Sequence, residues 1–278
     1  MTRIDVRWRT KHKGLPPRAI KLQIPGWAGH DTDHGDGATP QPWHCPPFVE
    51  GSTYGLELVY PFVTECHVTL RNGAIHFDAD FTAEMDPSMK DPPFKQFAPH
   101  HYGFTSALDL QVPDDMVVRV EAHPRFFTDT TGTVACAVPG HIHSAFWPRI
   151  FFVVFKAPGP GQTHVFRNGE PYAQVLVVPR KSSYDLKPMI EAEAKAREVM
   201  SAMINEASDE IAKHSWVDVH GQHFNDKYKV LQSTFLKRGH EGVKEVLREA
   251  MRSVLPRQAG VRKDPDGRGS DGAGMTPP

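Results

Sequence analysis

Short runs of β-branched and aromatic residues, each cut off by Pro, Gly, Asn or Asp, recur through residues 1–181. They constrain the fold more than any other feature. "GLELVYPF", "CHVTLRN", "AIHFDADF", "MVVRVEAH", "TVACAV", "RIFFVVFK" and "AQVLVVP" have the length and residue preference of strands rather than helices. "CHVTLRNGAIHFDADF" reads as a hairpin, with Asn72-Gly73 supplying the positive φ angles of a tight turn. Alternation on its second arm puts Ile75, Phe77 and Ala79 on one side and His76, Asp78 and Asp80 on the other. Many short strands at this spacing predict a mainly β fold: a double-sheet sandwich, cupin-like or barrel-like.

The pattern changes after "VVPRKSSYDLKP". From about Asp185 to His214 it is helical, with a stripe of Ala192, Ala196, Val199/Met200, Met203/Ile204, Ala207 and Ile211. Asp185 is the expected N-cap, with Pro188 in the first turn. Two shorter helices follow. One carries Tyr228, Leu231 and Phe235 and ends at Gly239; the other carries Val243, Val246/Leu247 and Val254 and stops before Pro256. Residues 29–42, "GHDTDHGDGATPQP", read as a polar loop. The expected organisation is a β-domain over 1–181, a helical arm over 182–255 and a disordered tail over 256–278. Such an arm packs on its own sheet or exchanges with a partner subunit, giving a homo-oligomer through the C-terminal helices.

Charge narrows the partners. Lys and Arg number 32 against 33 Asp and Glu, so no global basic field points to nucleic acid. No apolar run is long enough to span a membrane, and the charged N-terminus lacks the apolar stretch of a secretory signal. A cytoplasmic protein is expected. Cys45, Cys66 and Cys136 are widely spaced and describe neither a disulfide framework nor a zinc knuckle.

The 16 histidines are the groups best suited to chemistry. His141 and His143 in "VPGHIHSAFWPR" alternate, so a strand would present both imidazoles on one face. With a third ligand from His100, His101 or His123 they would hold a divalent transition metal, Fe or Zn, with positions open to substrate. A second assembly starts from His76 and Asp78, with His123 or His143 as the distal ligand. The competing reading of every one of these is a solvated or hydrogen-bonded histidine. The cupin pattern is incomplete, because the next acidic residue after His143 is Glu170. "AFWPRIFFVVF", which follows the pair, reads as core strand. "HDTDHGDG" at 30–37 lacks the glutamate of a calcium loop and reads as a polar linker. Adjacent His44 and Cys45 point to opposite faces of a strand and make no nucleophile–base pair. No G-x-S-x-G, G-x-G-x-x-G or H-E-x-x-H motif is present. Arg125 and Arg149 stand beside aromatics, and Arg149 is the expected clamp for a substrate carboxylate or phosphate.

Three segments occur in a telling order: "IPGW" (24–27), "HCPPF" (44–48) leading into "YGLELVYPF" (54–62), and "GEPYAQVLVVPRK" (169–181). Over roughly residues 20–181 the chain resembles an uncharacterised β-domain family of marine tailed phages and bacteria. Its members pair an early C-x-P segment with a late G-x-P-x-x-Q strand. The resemblance implies a fold relationship and no chemistry. Where the family carries an acidic D/E-T-D stretch, this chain has His141-Ile142-His143, so no metal role is carried over. The sequence therefore predicts a β-domain that binds a small molecule, with a non-haem metal-dependent oxygenase-type enzyme as its catalytic form. The alternative is a non-catalytic structural or assembly protein, phage-related or oligomeric, whose helices engage a partner.

Overall fold

The computed structural model describes residues 3–11, 14–21, 45–85 and 91–260, with the backbone alone for 255–260. "IPGW", the 29–42 loop with its "HDTDHGDG" stretch, His44 and residues 261–278 of the tail lie outside the described residues. The chain divides into two compact units, one ending at Asp185 and one beginning at Leu186.

The first unit contains β1 (Arg7–Thr10), β2 (Arg18–Ala19), α1 (Pro46–Ser52), β3 (Leu56–Val59), β4 (Cys66–Arg71), β5 (Ala74–Asp78), β6 (Phe94–Ala98) and β7 (His101–Thr105). It continues with β8 (Leu108–Gln111), β9 (Met116–Glu121), α2 (Arg125–Thr128), β10 (Gly140–Ile142), β11 (Phe152–Lys156), β12 (Thr163–Phe166) and β13 (Pro171–Pro179). The pairings are antiparallel. A five-stranded sheet runs β10-β9-β13-β3-β2, with three-stranded sheets β11-β7-β6 and β12-β4-β5 and the pair β1-β8. The unit is therefore mainly β, as the alternation of short apolar runs predicts.

The β4–β5 hairpin forms as expected, with Asn72 (φ 53°) and Gly73 (φ 78°) at its turn. Ile75 and Phe77 enter the core, while His76, Asp78 and Asp80 face outward. That core is aromatic. Phe94 and Phe104 rings lie 4.6 Å apart, and Tyr102 stacks on Phe155 at 5.3 Å. Leu58, Ala173, Val175, Val118 and Val120 of the five-stranded sheet join the same cluster. "TVACAV" forms no strand and contributes only an isolated bridge, Ala137 to Phe155. "AFWPR" is not core either. Phe146 (70% exposed) and Trp147 (49%) lie in a turn in which both their amides donate to the His143 carbonyl.

The second unit holds α3 (Glu191–Glu206), α4 (Ser208–Ile211), β14 (Ser215–Val217), β15 (His223–Asn225) and α5 (Lys227–Gly260). The long helix starts later than Asp185. Lys187 precedes Pro188 and is biased toward extended backbone, so the helix begins beyond the proline. There the Glu193 carboxylate accepts the Ile190 amide at 3.3 Å. Only the end of the expected stripe is covered: Met203, Ile204, Ala207 and Ile211 pack with Val243, Leu247 and Ala250 of α5, whereas Val199 and Met200 are exposed. The β14–β15 hairpin falls between the expected helices, within the stretch expected as a helical arm. Asp218 shapes its turn by accepting the amides of His220 and Gln222, each at 2.8 Å. α5 breaks at Gly239 (φ 65°, ψ −163°), as predicted, but continues past Pro256 to Gly260. A proline inside a helix forfeits one backbone hydrogen bond, and here the last turns persist without it. The tail's first residues, 256–260, are thus helical. No described helix is long and apolar enough to cross a membrane.

Candidate functional site

Residues opposite one another in a sheet share a face, so its register shows which polar groups gather. Arg18 pairs with Glu57, Glu57 with Gln174, and Gln174 with Glu121, giving one polar row across β2, β3, β13 and β9 on the face away from the core. The row is covered at its centre, and Glu57 is fully buried. Its carboxylate accepts from Arg18 Nε at 2.5 Å and from His123 Nε2 at 3.2 Å. Gln174 Nε2 donates to the Tyr54 carbonyl at 2.6 Å. Burial pushes the Glu57 carboxyl up, but the hydrogen bonds from His123 and Arg18 and the Arg18 charge outweigh it and hold it below its usual value.

His123 is fully engaged by this arrangement. Its Nδ1 accepts the Arg125 amide at 3.1 Å, which leaves Nε2 as the protonated nitrogen that donates to Glu57. Neither nitrogen has a lone pair for a metal, nor can the ring act as a base on a substrate. The other expected ligands lie elsewhere. His141 is exposed on β10 opposite Arg119, and His143, just past that strand, stacks on Phe146 with ring centroids 5.4 Å apart. His100 is exposed, and His101 is partly buried at the start of β7 opposite Lys156. Among the described residues no three His, Cys, Asp or Glu side chains are grouped to hold a metal. The described histidines are therefore not brought together as an iron or zinc ligand set.

Two of the clefts on this unit hold residues singled out by the sequence. One, of about 460 Å³, lies beside His123 and is walled by Arg125, Thr128–Thr133 and Arg167–Glu170. Lys21 also lines it, and its two arginines are paired. Arg125 meets Glu170 at 2.7 Å and Arg167 meets Glu65 at 3.1 Å. Asp129 accepts the amides of Thr131, Thr133 and Val134; those bonds, with the Thr131 hydroxyl, outweigh its partial desolvation and hold its carboxyl low.

The other cleft, of about 510 Å³, contains Arg149. It is lined by Arg9, Thr10, Lys11, Asp109, Pro148, Arg149, Ile150 and Phe152. Register explains the convergence: Arg9 on β1 pairs with Asp109 on β8, and β11 begins beside them. Arg9 Nε donates to Asp109 at 2.7 Å and its Nη2 to the Pro148 carbonyl at 3.1 Å, so this guanidinium is positioned. Lys11 is held through its amide to the Ala107 carbonyl at 2.8 Å. The Arg149 guanidinium lies 5.4 Å from the centre of the Trp147 ring, which supports it as a cation–π contact. Neither Lys11 nor Arg149 has a carboxylate partner among the described residues. Beneath them the buried Ser106 hydroxyl donates to the Phe151 carbonyl at 2.8 Å and accepts the Leu108 amide at 3.1 Å, fastening β8 to the start of β11. The sequence singled out Arg149; Arg9 and Lys11 join it only through tertiary register. The alternation of Arg7 and Arg9 with Trp8 in "RWRT" was the available signal.

No family model and no curated protein matches the sequence. Among solved structures, the chain is similar to the native dUTPase of EIAV at 11% identity and a TM-score of 0.33, over 67% of this chain and 98% of that one. It is similar also to the dUTPase from phage phi11 of S. aureus at 13% identity and a TM-score of 0.23, over 46% of this chain and 97% of that one. Likeness this slight fixes neither fold nor activity.

Proposed function

We propose that the β unit is a small-molecule-binding domain that takes a phosphate-type dianion in the cleft of Arg9, Lys11 and Arg149. One observation carries the reading: among the described residues, three cations converge there against a single carboxylate, Asp109, which is already committed to Arg9. The two remaining positive charges match a dianion, and guanidinium groups suit its oxygens. The same proposal places the β unit in the sandwich class. Support for that comes from the single core cluster shared by the five-stranded sheet and the three-stranded sheets, and from the resemblance to the phage and bacterial β-domain family. No catalytic step is assigned.

The test is a calorimetric titration of the full chain with inorganic phosphate at fixed ionic strength. Saturable binding is expected, weakened about tenfold or more in Arg149→Ala, the loss of a charge-assisted hydrogen bond being worth roughly 1.5–3 kcal/mol. Absence of binding, or equal binding by Arg149→Ala, overturns the proposal.

A further inference from the structure

Resting on that reading, we infer that the anion is carried on a planar ring: the cleft takes an aryl phosphate monoester. The argument begins with the aromatic side chains that stand in solvent beside the cations. Phe152 forms one wall of the cleft and is 39% exposed. Phe97, 51% exposed, meets it edge to face, with centroids 5.9 Å apart and planes at 85°.

Both rings are held in place. β6 shifts register between Gln96 and Ala98, and a bulge of this kind re-aims the side chain at its centre, here Phe97. Gln96 secures the bulge, its Nε2 donating to the Ala98 carbonyl at 3.1 Å. The Phe97 ring then lies on Gly103 of β7, where a Cβ would run into it. A side chain at position 103 would lift the ring off the sheet. The Phe97 ring is thus kept at the surface by a bulge and a glycine, with Phe152 of β11 against it, although exposed apolar area is costly. The Trp147 ring backs Arg149. The result is a cationic floor beside an aromatic wall, and such a wall binds a flat π-face with little regard to its substituents. Inorganic phosphate would use the floor only. An aryl phosphate would use both.

The experiment titrates the full chain with inorganic phosphate, phenyl phosphate and cyclohexyl phosphate at one pH and ionic strength. Phenyl phosphate is expected to bind about tenfold tighter than inorganic phosphate and measurably tighter than cyclohexyl phosphate. Phe152→Leu, with Phe97→Leu as a second variant, should remove the preference for phenyl over cyclohexyl phosphate; thermal melts report that each variant is folded. Phosphate binding with no preference for the aryl ester overturns this inference alone, as does a preference that survives in both variants. Failure of all three ligands to bind overturns the anion site itself.

Discussion

His164 is a titratable group placed where a charge is expensive. It is 9% exposed, and its Nδ1 shares a hydrogen bond of 2.8 Å with the hydroxyl of fully buried Tyr102. Burial pushes its pKa down from 6.5 to about 4. The folded state therefore holds His164 neutral across a range in which the unfolded chain takes up a proton. Its stabilising effect is complete above about pH 6.5 and is lost as pH falls toward 4, at about 1.4 kcal/mol per pH unit. Glu57, held below its usual value, adds acid sensitivity only below about pH 4.5, so the window above that belongs to His164. The urea midpoint of the wild type should drop between pH 6.5 and 4.5, and that of His164→Gln, which retains an acceptor for Tyr102, should drop much less; equal slopes would falsify the assignment. Neither this pair nor Glu57–His123 was legible in the sequence. Their partners lie 62 and 66 residues apart, and no local pattern encodes a meeting across that span. Burial also raises the Cys66 thiol to about 12, leaving it inert.

Elements with a strong local signature were readable. The β4–β5 hairpin announces itself by Asn72-Gly73 and strict alternation, and β13 by its apolar run. Strands such as β6, "FKQFA", and β7, "HYGFT", were missed, because one carries Lys, Gln and an outward Phe and the other a glycine that serves its neighbour. "AFWPR" was misread for the opposite reason: its apolar content is that of a strand, yet its rings point to solvent. The break in α5 was legible because Gly239 interrupts the helical stripe. Its φ of 65° with ψ of −163° is open to glycine and little else, while no atom would obstruct an added Cβ. Gly239→Ala should therefore lower stability by roughly 1–3 kcal/mol through backbone strain alone. Thermal melting followed at 222 nm checks this, and an unchanged melting temperature would mean that the break does not need glycine.

At the scale of the molecule, the two units are joined by a segment from Arg180 to Met189 that is exposed throughout and has no regular structure. Exposed backbone of this kind is where proteases enter first. Limited trypsin digestion should cut after Arg180 or Lys181 before it cuts inside any described strand, and mass spectrometry of the first products identifies the site; initial cuts inside β3 or β13 would contradict this architecture. The division between β and helical parts was visible from the change of period near this segment. How the sheets are ordered was not, since that depends on pairings between distant strands.

The polar row across the five-stranded sheet has a consequence for how the chain comes into being. Gln174 bonds to Tyr54 across 120 residues of sequence, and β3 lies between the two-residue β2 and β13. A ribosome releases β3 long before β13. Until β13 arrives, Glu57 has no sheet to be buried in, and the nascent β3 keeps an open edge along which another chain could pair. A one-residue slip on docking β13 would turn Gln174 toward the apolar core, so the row that delays completion also rejects the wrong alignment. Folding of the β unit waits for β13, its last strand, to be translated.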